Sequence, residues 1–340
     1  MLNQRAKMQL QEESTDNLAA GIKAGDRRAL ARAITLMEST RPDHRKLAQS
    51  LLTELMPYTG KSIRIGISGV PGVGKSTFVE VFGNHIIDQS HRLAVLSVDP
   101  SSAITGGSIL GDKTRMETLS RRLEAYIRPS PTGRTLGGVT RRTREAILLC
   151  EAAGYDVVIV ETVGVGQSET AVADMTDMFV LMLLPGGGDE LQGIKRGIVE
   201  LADLILVNKA DGDTETIAGQ TATEYHHALR LLQPRSKQWK VPVLTCSAKE
   251  GRGVENTWQT VDKFRKERKR SGEFNARRSS QARSWLWSET TESILNDMRQ
   301  HSAVKKRIPQ LETEVASGKL PTSAAAAELI EHYLAGKTRS

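Results

Sequence analysis

The chain has 340 residues, 39% of them hydrophobic and only 4% aromatic, so it can bury a full core and that core must be aliphatic. Its formal net charge of +7 suits an anionic ligand such as a nucleotide as well as it suits nucleic acid. The opening MLNQRAKMQLQEES has no signal-peptide core and the longest apolar run, Met178–Leu184, is too short to span a bilayer, so the expectation is a soluble cytoplasmic or organelle-matrix protein.

Residues 1–58 carry apolar positions at helical spacing, with Ala29, Leu30, Ala33, Ile34 and Met37 on one face, and are expected to form a helical N-terminal extension. Strand-like aliphatic runs then recur at Ile63–Ile67, Leu93–Val98, Ala125–Ile127, Asp156–Val160, Met178–Leu184, Asp203–Val207 and Pro242–Thr245. Helical patterns such as Thr140–Ala153 and Thr216–Leu232 separate most of them, and Val254–Arg268 follows the last. Alternation of this kind predicts an α/β fold with a mostly parallel sheet covered by helices on both faces, over residues 59–262. From 263 to 340 the pattern turns helical: a basic run from Lys263 to Arg283, an apolar stripe with Trp285, Leu286, Trp287, Ile294, Leu295 and Met298, and a last helix from Pro321 to Gly336. The paired tryptophans suit a dimer interface or packing onto the core equally well. The two cysteines, Cys150 and Cys246, sit in apolar surroundings and read as buried free thiols.

The chemistry gathers at strand ends. Gly69-Val70-Pro71-Gly72-Val73-Gly74-Lys75-Ser76-Thr77 meets the P-loop pattern between a strand and a helix, the context that pattern requires. Its glycines let backbone N–H groups converge on phosphates, Lys75 reaches the β/γ-phosphates and Ser76 ligates Mg²⁺. The run Val157-Val-Ile-Val-Glu161 ends a strand in an acid placed to order Mg²⁺, and Gly164 can offer its N–H to a γ-phosphate. Gln167 is a weaker candidate for orienting water, since it does not directly follow Gly164. Asp99 and Asp112 read as members of the Mg²⁺ shell, Asp112 equally as a helix cap or loop salt bridge. Asn208-Lys209-Ala210-Asp211 closes another strand: a carboxylate there accepts two guanine N–H groups that adenine lacks, while Asn208 braces the loop and the Lys209 stem lies along the base. Cys246-Ser247-Ala248-Lys249, just after the last strand, resembles the loop whose backbone N–H meets guanine O6. A glycine-rich stretch, Leu184-Pro-Gly-Gly-Gly-Asp189 through Lys195, reads as a loop able to close on the nucleotide or a partner.

These strings, GVPGVGKST, VDPSS, GSILGDKTRM, RPSPTGRTLGG, ETVGVGQSE, PGGGDELQGIKRG, NKADGD and SAKEGRGV, occur in one order over residues 69–254, and the chain resembles the MeaB/ArgK/MMAA GTPases. The resemblance implies a P-loop GTPase fold of the signal-recognition and nickel-insertion class, GTP/GDP with Mg²⁺ held by Ser76, Asp99, Asp112 and Glu161, and a homodimer made by the C-terminal arm. It also implies that Asp189 and Lys195 belong to a switch answering a partner, methylmalonyl-CoA mutase or a related B12-dependent acyl-CoA mutase, whose adenosylcobalamin loading GTP hydrolysis gates and whose activity it protects or restores. Lys75, Glu161, Gly164, Asp189 and Lys195 would then carry catalysis.

Three other classes are set against this. An ATP-dependent kinase or transport ATPase conflicts with Asn208–Asp211. A metal-insertion GTPase usually carries His- or Cys-rich motifs, whereas the seven histidines here are scattered. Nucleic-acid binding through Lys263–Arg283 is weakened by Glu267 and Glu273 and by thin aromatic content, so that run reads as a solvated face or a surface for an acidic partner, and no membrane contact is expected.

Overall fold

Each aliphatic run becomes a strand of one sheet. The computed structural model describes residues 15–39, 41–98, 116–129, 136–162, 168–186, 196–232, 236 and 238–337. The strands are β1 (Ile63–Gly69), β2 (Leu93–Val98), β3 (Ala125–Arg128), β4 (Val157–Thr162), β5 (Met178–Leu183), β6 (Leu204–Val207) and β7 (Val243–Thr245). Among the described residues they are ordered β3-β2-β4-β1-β5-β6-β7, and every pairing is parallel. Every residue of β1, β2, β4, β5 and β6 is buried, as a sheet covered on both faces requires. The chain leaves β1 toward β2 on one side and reaches β5 on the other, so the topological switch lies at β1, where such folds hold ligands.

The helices are α1 (15–23), α2 (Arg27–Glu38), α3 (Pro42–Leu55), α4 (Lys75–Asp88), α5 (Leu136–Ala152), α6 (Glu215–Leu229), α7 (Val254–Arg270), α8 (Glu273–Gln300), α9 (Ser302–Ala316) and α10 (Thr322–Lys337). Helix α2 starts where the Asp26 carboxylate accepts the Arg28 N–H at 2.7 Å, and it buries the expected face of Ala29, Leu30, Ala33, Ile34 and Met37. That face lies against α3 and α5. Helix α4 begins at Lys75, inside the P-loop motif, because Gly74 ends the loop as its N-cap. Gly66 admits the short helix Ser168–Ala173: a Cβ there would stand 2.7 Å from Val172 Cγ1 and 2.8 Å from Thr176 Oγ1.

Charge is buried at the amino ends of the strands. Arg64 on β1 donates to Glu151 of α5 through Nε at 2.8 Å and Nη2 at 2.9 Å, and the Gly60 N–H and Ser62 hydroxyl complete the carboxylate's shell at 2.8 and 2.5 Å. A second cluster surrounds Asp203 before β6. Its carboxylate accepts the Phe179 N–H at 2.9 Å and Arg277 Nη1 at 3.2 Å, with Arg268 Nη2 at 3.7 Å. Arg268 also pairs with Glu273, and it is buried. The basic run therefore differs from a simple solvated face: its spacing put Arg268 and Arg277 among lysines and arginines, but they turn inward because Asp203 is buried and needs counter-charge.

The chain divides into two compact units, residues 1–277 and 278–340. In the second, α9 packs on α10, Val304, Leu311 and Ala325 are buried, and Arg307 Nε donates to Glu328 at 2.5 Å. Helix α10 starts directly after Pro321, as expected, but runs through Gly336 to Lys337; a helical glycine costs only about 1 kcal/mol relative to alanine and does not break the ladder. Residue 262 lies inside α7, and no described helix is long and apolar enough to cross a membrane.

Burial pushes the Glu151 carboxyl up, but the Arg64 guanidinium, the Ser62 hydroxyl and the Gly60 N–H outweigh it and hold its pKa below the usual carboxylate range. A depressed folded pKa contributes stability above the unfolded value of about 4.3 and loses it as pH falls further. Glu151→Gln leaves Arg64 buried without its charge partner, so at pH 7 it should lower unfolding free energy by about 3–5 kcal/mol. In urea titrations the gap to the parent protein should shrink below about pH 4; an equal gap at pH 7 and pH 3.5 would contradict this assignment.

Candidate nucleotide site

The carboxyl ends of β1, β4, β6 and β7 bring the expected motifs to one end of the sheet. From β1, the chain turns through Val70-Pro71-Gly72-Val73-Gly74 into α4. Gly69 pairs with Met182 of β5, and a Cβ on it would stand 2.5 Å from the Met182 carbonyl oxygen. Gly74 has φ +90°, and a Cβ there would meet Asn208 Nδ2 at 2.8 Å, so glycine is required both for the turn and for the approach of Asn208. The α4 N-terminus faces this loop and presents its first N–H groups, a ready anion site.

Lys75 is buried, and its Nζ donates to the Gly69 carbonyl at 2.7 Å and the Val70 carbonyl at 3.4 Å. Burial pushes its ammonium below the ordinary lysine value, against the opposing pull of Glu161 and Glu169. Ser76 donates its hydroxyl to Glu161 Oε1 at 3.1 Å. Glu161 is buried and belongs to β4, which continues one residue further to Thr162; the Thr162 hydroxyl donates to Ser68 Oγ at 3.0 Å and ties the two strand ends. The spacing therefore brought together Lys75, Ser76 and Glu161. Ser76 and Glu161 supply adjacent hard oxygen donors at a helix N-terminus, a donor set that fits Mg²⁺.

The second half of the site rests on Asn208. Its Nδ2 donates to the Val73 carbonyl at 2.8 Å, and its Oδ1 accepts the Ala248 N–H at 3.1 Å and the Cys246 thiol at 3.3 Å. One carboxamide thus joins the P-loop, the Asn208–Asp211 turn and the loop after β7. Lys209 is exposed and has φ +59°, a left-handed conformation uncommon outside glycine; its carbonyl accepts the Thr214 hydroxyl at 2.5 Å. The Ser247 hydroxyl donates to the Asp211 carboxylate, and Ser247 Oγ accepts the Glu250 N–H at 3.1 Å. Arg252 holds the same turn by donating to the Ala210 carbonyl at 3.1 Å. A carboxylate anchored on one oxygen in this way can present the rest of its lone pairs to a paired N–H edge. Ala248 N–H is donated to Asn208, and Lys249, next in the loop, is exposed.

Gly164, Asp189, Lys195, Asp99, Asp112 and Gln167 lie outside the described residues. Sequence reasoning passed over two participants. Glu169 is buried in the first turn of the short helix after β4 and acts electrostatically on Lys75; a second acid eight residues after Glu161 was the available signal. Cys246, read as a buried thiol at the head of the Cys246–Lys249 stretch, donates to Asn208, a bond for which the local sequence carried no sign.

A parallel sheet with a P-loop at its switch point, an acid on the neighbouring strand and an Asn-Lys-x-Asp turn two strands away defines a P-loop GTPase. Residues 30–303 match the family model for the methylmalonyl-CoA mutase-associated GTPase MeaB, and the chain belongs to that family. It is 53% identical to a probable GTPase of Mycobacterium tuberculosis over 94% of this chain and 95% of the relative. It is 50% identical to a mouse protein named methylmalonic aciduria type A homolog, mitochondrial, over 95% of this chain and 80% of that one, and 50% identical to the Escherichia coli GTPase ArgK over 82% and 84%. A solved structure titled LAO/AO transport system kinase superposes with a TM-score of 0.74 at 39% identity, covering 94% of this chain and 97% of that one.

Replacing the Asp211 carboxylate by an amide removes the acceptor pair while keeping its shape. Asp211→Asn should weaken GTP binding about 100-fold or more, two charge-assisted hydrogen bonds being lost, and should gain affinity for xanthosine triphosphate. Calorimetry with both nucleotides checks this, and unchanged GTP affinity would remove Asp211 from base recognition.

Proposed function

We propose that this chain binds and hydrolyses GTP with Mg²⁺ to gate adenosylcobalamin delivery to methylmalonyl-CoA mutase, or to a related B12-dependent acyl-CoA mutase, and to protect or restore that enzyme. The single observation that carries the nucleotide part is the Asn208 carboxamide, which fixes the P-loop at Val73 and the Ala248 loop at a set distance. A nucleotide spans that distance, with phosphates on Gly69–Thr77 and base between Asp211 and Ser247–Lys249. Within this reading Lys75 meets the β/γ-phosphates, Asp211 takes the guanine N1–H and N2 amine, and the Lys209 stem lies along the base. The Lys249 N–H meets O6, since Ala248 gives its own to Asn208. Ser76 and Glu161 would hold Mg²⁺, with Asp99 and Asp112 added by resemblance; the ion neutralises phosphate charge. Gly164 contributes an N–H at the γ-phosphate.

The mutase part rests on membership in a family described as mutase-associated and on a relative named for methylmalonic aciduria. Asp189 and Lys195 then form the switch that responds to the mutase. We further propose a homodimer through the helical arm within residues 263–340, supported by the exposure of Leu286, Trp287, Ile294 and Leu334. In this reading the GTPase domain is residues 59–262, preceded by a helical extension within residues 1–58, in a cytoplasmic setting or an organelle matrix.

GTP turnover measured with and without purified mutase tests the proposal: the mutase should accelerate phosphate release, and no acceleration with methylmalonyl-, isobutyryl- and ethylmalonyl-CoA mutases would reject it. Lys195→Ala should lower the mutase-stimulated rate by about tenfold or more, the scale of a lost group that stabilises transferring phosphate. Equal stimulation of variant and parent would take Lys195 out of the switch.

A further inference from the structure

Asn208 works only in one orientation of its carboxamide. Nitrogen must face the Val73 carbonyl and oxygen must face the Ala248 N–H, at 2.8 and 3.1 Å. A carbonyl oxygen has two lone pairs, and the second accepts from Cys246 Sγ at 3.3 Å. Two donors on one side and an acceptor on the other leave the flipped amide with its nitrogen against two donors, so the orientation is fixed by chemistry as well as by packing. The Cys246 backbone is held on both sides. The Cys246 N–H donates to the Val207 carbonyl at 2.8 Å and its carbonyl accepts the Ala210 N–H at 2.9 Å, which seats it between the end of β6 and the Asn208–Asp211 turn.

We infer that Cys246 is a positioning residue for nucleotide binding, its S–H holding Asn208 so that the phosphate loop and the guanine-facing loops stay in register. This rests on the GTP reading above. Burial, with the Asp211 carboxylate nearby, pushes the Cys246 pKa up to about 12, so the sulfur keeps its proton and its role as donor at every physiological pH. The same burial keeps thiolate chemistry away from the site. Space around it is limited: a Cβ on Gly253 would stand 3.1 Å from both Cys246 Cα and Cβ, so side-chain size and donor ability must be separated in any test.

Two isosteric pairs separate them. Thr and Val share a shape and differ in one donor, as do Ser and Ala apart from one small atom. The full chain is titrated calorimetrically with GTP and with GDP for the parent, Cys246→Thr, Cys246→Val, Cys246→Ser and Cys246→Ala, and the melting temperature of each is recorded without nucleotide. The hydroxyl variants should bind within about twofold of the parent, and the donorless partners about three- to tenfold more weakly than their hydroxyl counterparts. The loss should be the same for GTP and GDP, because Asn208 serves the parts the two nucleotides share, and each pair should melt together. Should Cys246→Thr and Cys246→Val fail to fold, the Ser and Ala pair decides. Equal affinities within a pair overturn the role of Cys246, as does a loss of affinity matched by a fall in melting temperature of the donorless member. A parent protein that binds neither nucleotide overturns the GTP reading instead.

Discussion

One side chain sets the geometry of the site. The phosphate loop leaves β1, and the turn opposite it leaves β6, with β5 between them in the sheet. No strand pairing joins the two directly. The Asn208 carboxamide does, through Val73 on one side and Ala248 and Cys246 on the other. A ligand gripped at both ends gains only if the grips are already at the right spacing, since any slack must be ordered at the moment of binding. The left-handed Gly74 belongs to the same constraint, because a side chain there would displace the Asn208 nitrogen.

The two ends of the sheet use polar groups differently. At the carboxyl ends stand the groups that suit a charged ligand: the P-loop, the Ser76 hydroxyl and the Glu161 and Asp211 carboxylates. At the amino ends, charges are consumed inside the protein: Arg64 with Glu151 under β1, and Arg268 and Arg277 with Asp203 under β6. Ion pairs this buried add little net stability over a well-packed apolar alternative, but removing one partner is costly. Their effect is to fix which helix sits under which strand. Glu151 binds α5 to β1 at the point where the P-loop strand begins, and Trp239 adds its indole N–H to the Asp203 carbonyl at 2.8 Å, holding the β6–β7 crossover in place.

The sequence made the fold legible because a parallel sheet covered on both faces leaves short, largely aliphatic runs, and each of the seven strands was visible as one. The strand-end motifs were legible for a related reason: Gly69–Thr77 and Asn208–Asp211 need particular residues at particular spacings to make particular bonds. What stayed hidden depends on partners far apart in the chain. Arg268 looked like its neighbours Lys266 and Lys269, and only the buried Asp203, 65 residues earlier in the numbering, gives it a different role. Cys246 carried no local sign of its bond to Asn208, which exists only because β7 lies beside β6. Gly336 looked like a helix end because glycine often is one, yet glycine only weakens a helix.

Strand β6 is four residues long, and both its ends are tied. Asp203 below is held by the Phe179 N–H and two arginines, and Asn208 above is held by three groups on two loops. The turn that would read the base is therefore anchored to the sheet and to both neighbouring loops. Such anchoring suits discrimination, because rejecting a wrong base depends on polar groups that cannot relax to accommodate it. Gating has the opposite requirement: a group that reports on the γ-phosphate must have two arrangements to choose between. Segments that answer to the phosphate therefore have to be separate from the Asn208 framework, and the strongest candidates, Asp189 and Lys195, follow β5 rather than β6. On the proposed GTP reading, specificity and switching would be alterable independently, the first through Asn208, Asp211 and Cys246 and the second through the sequence that follows β5.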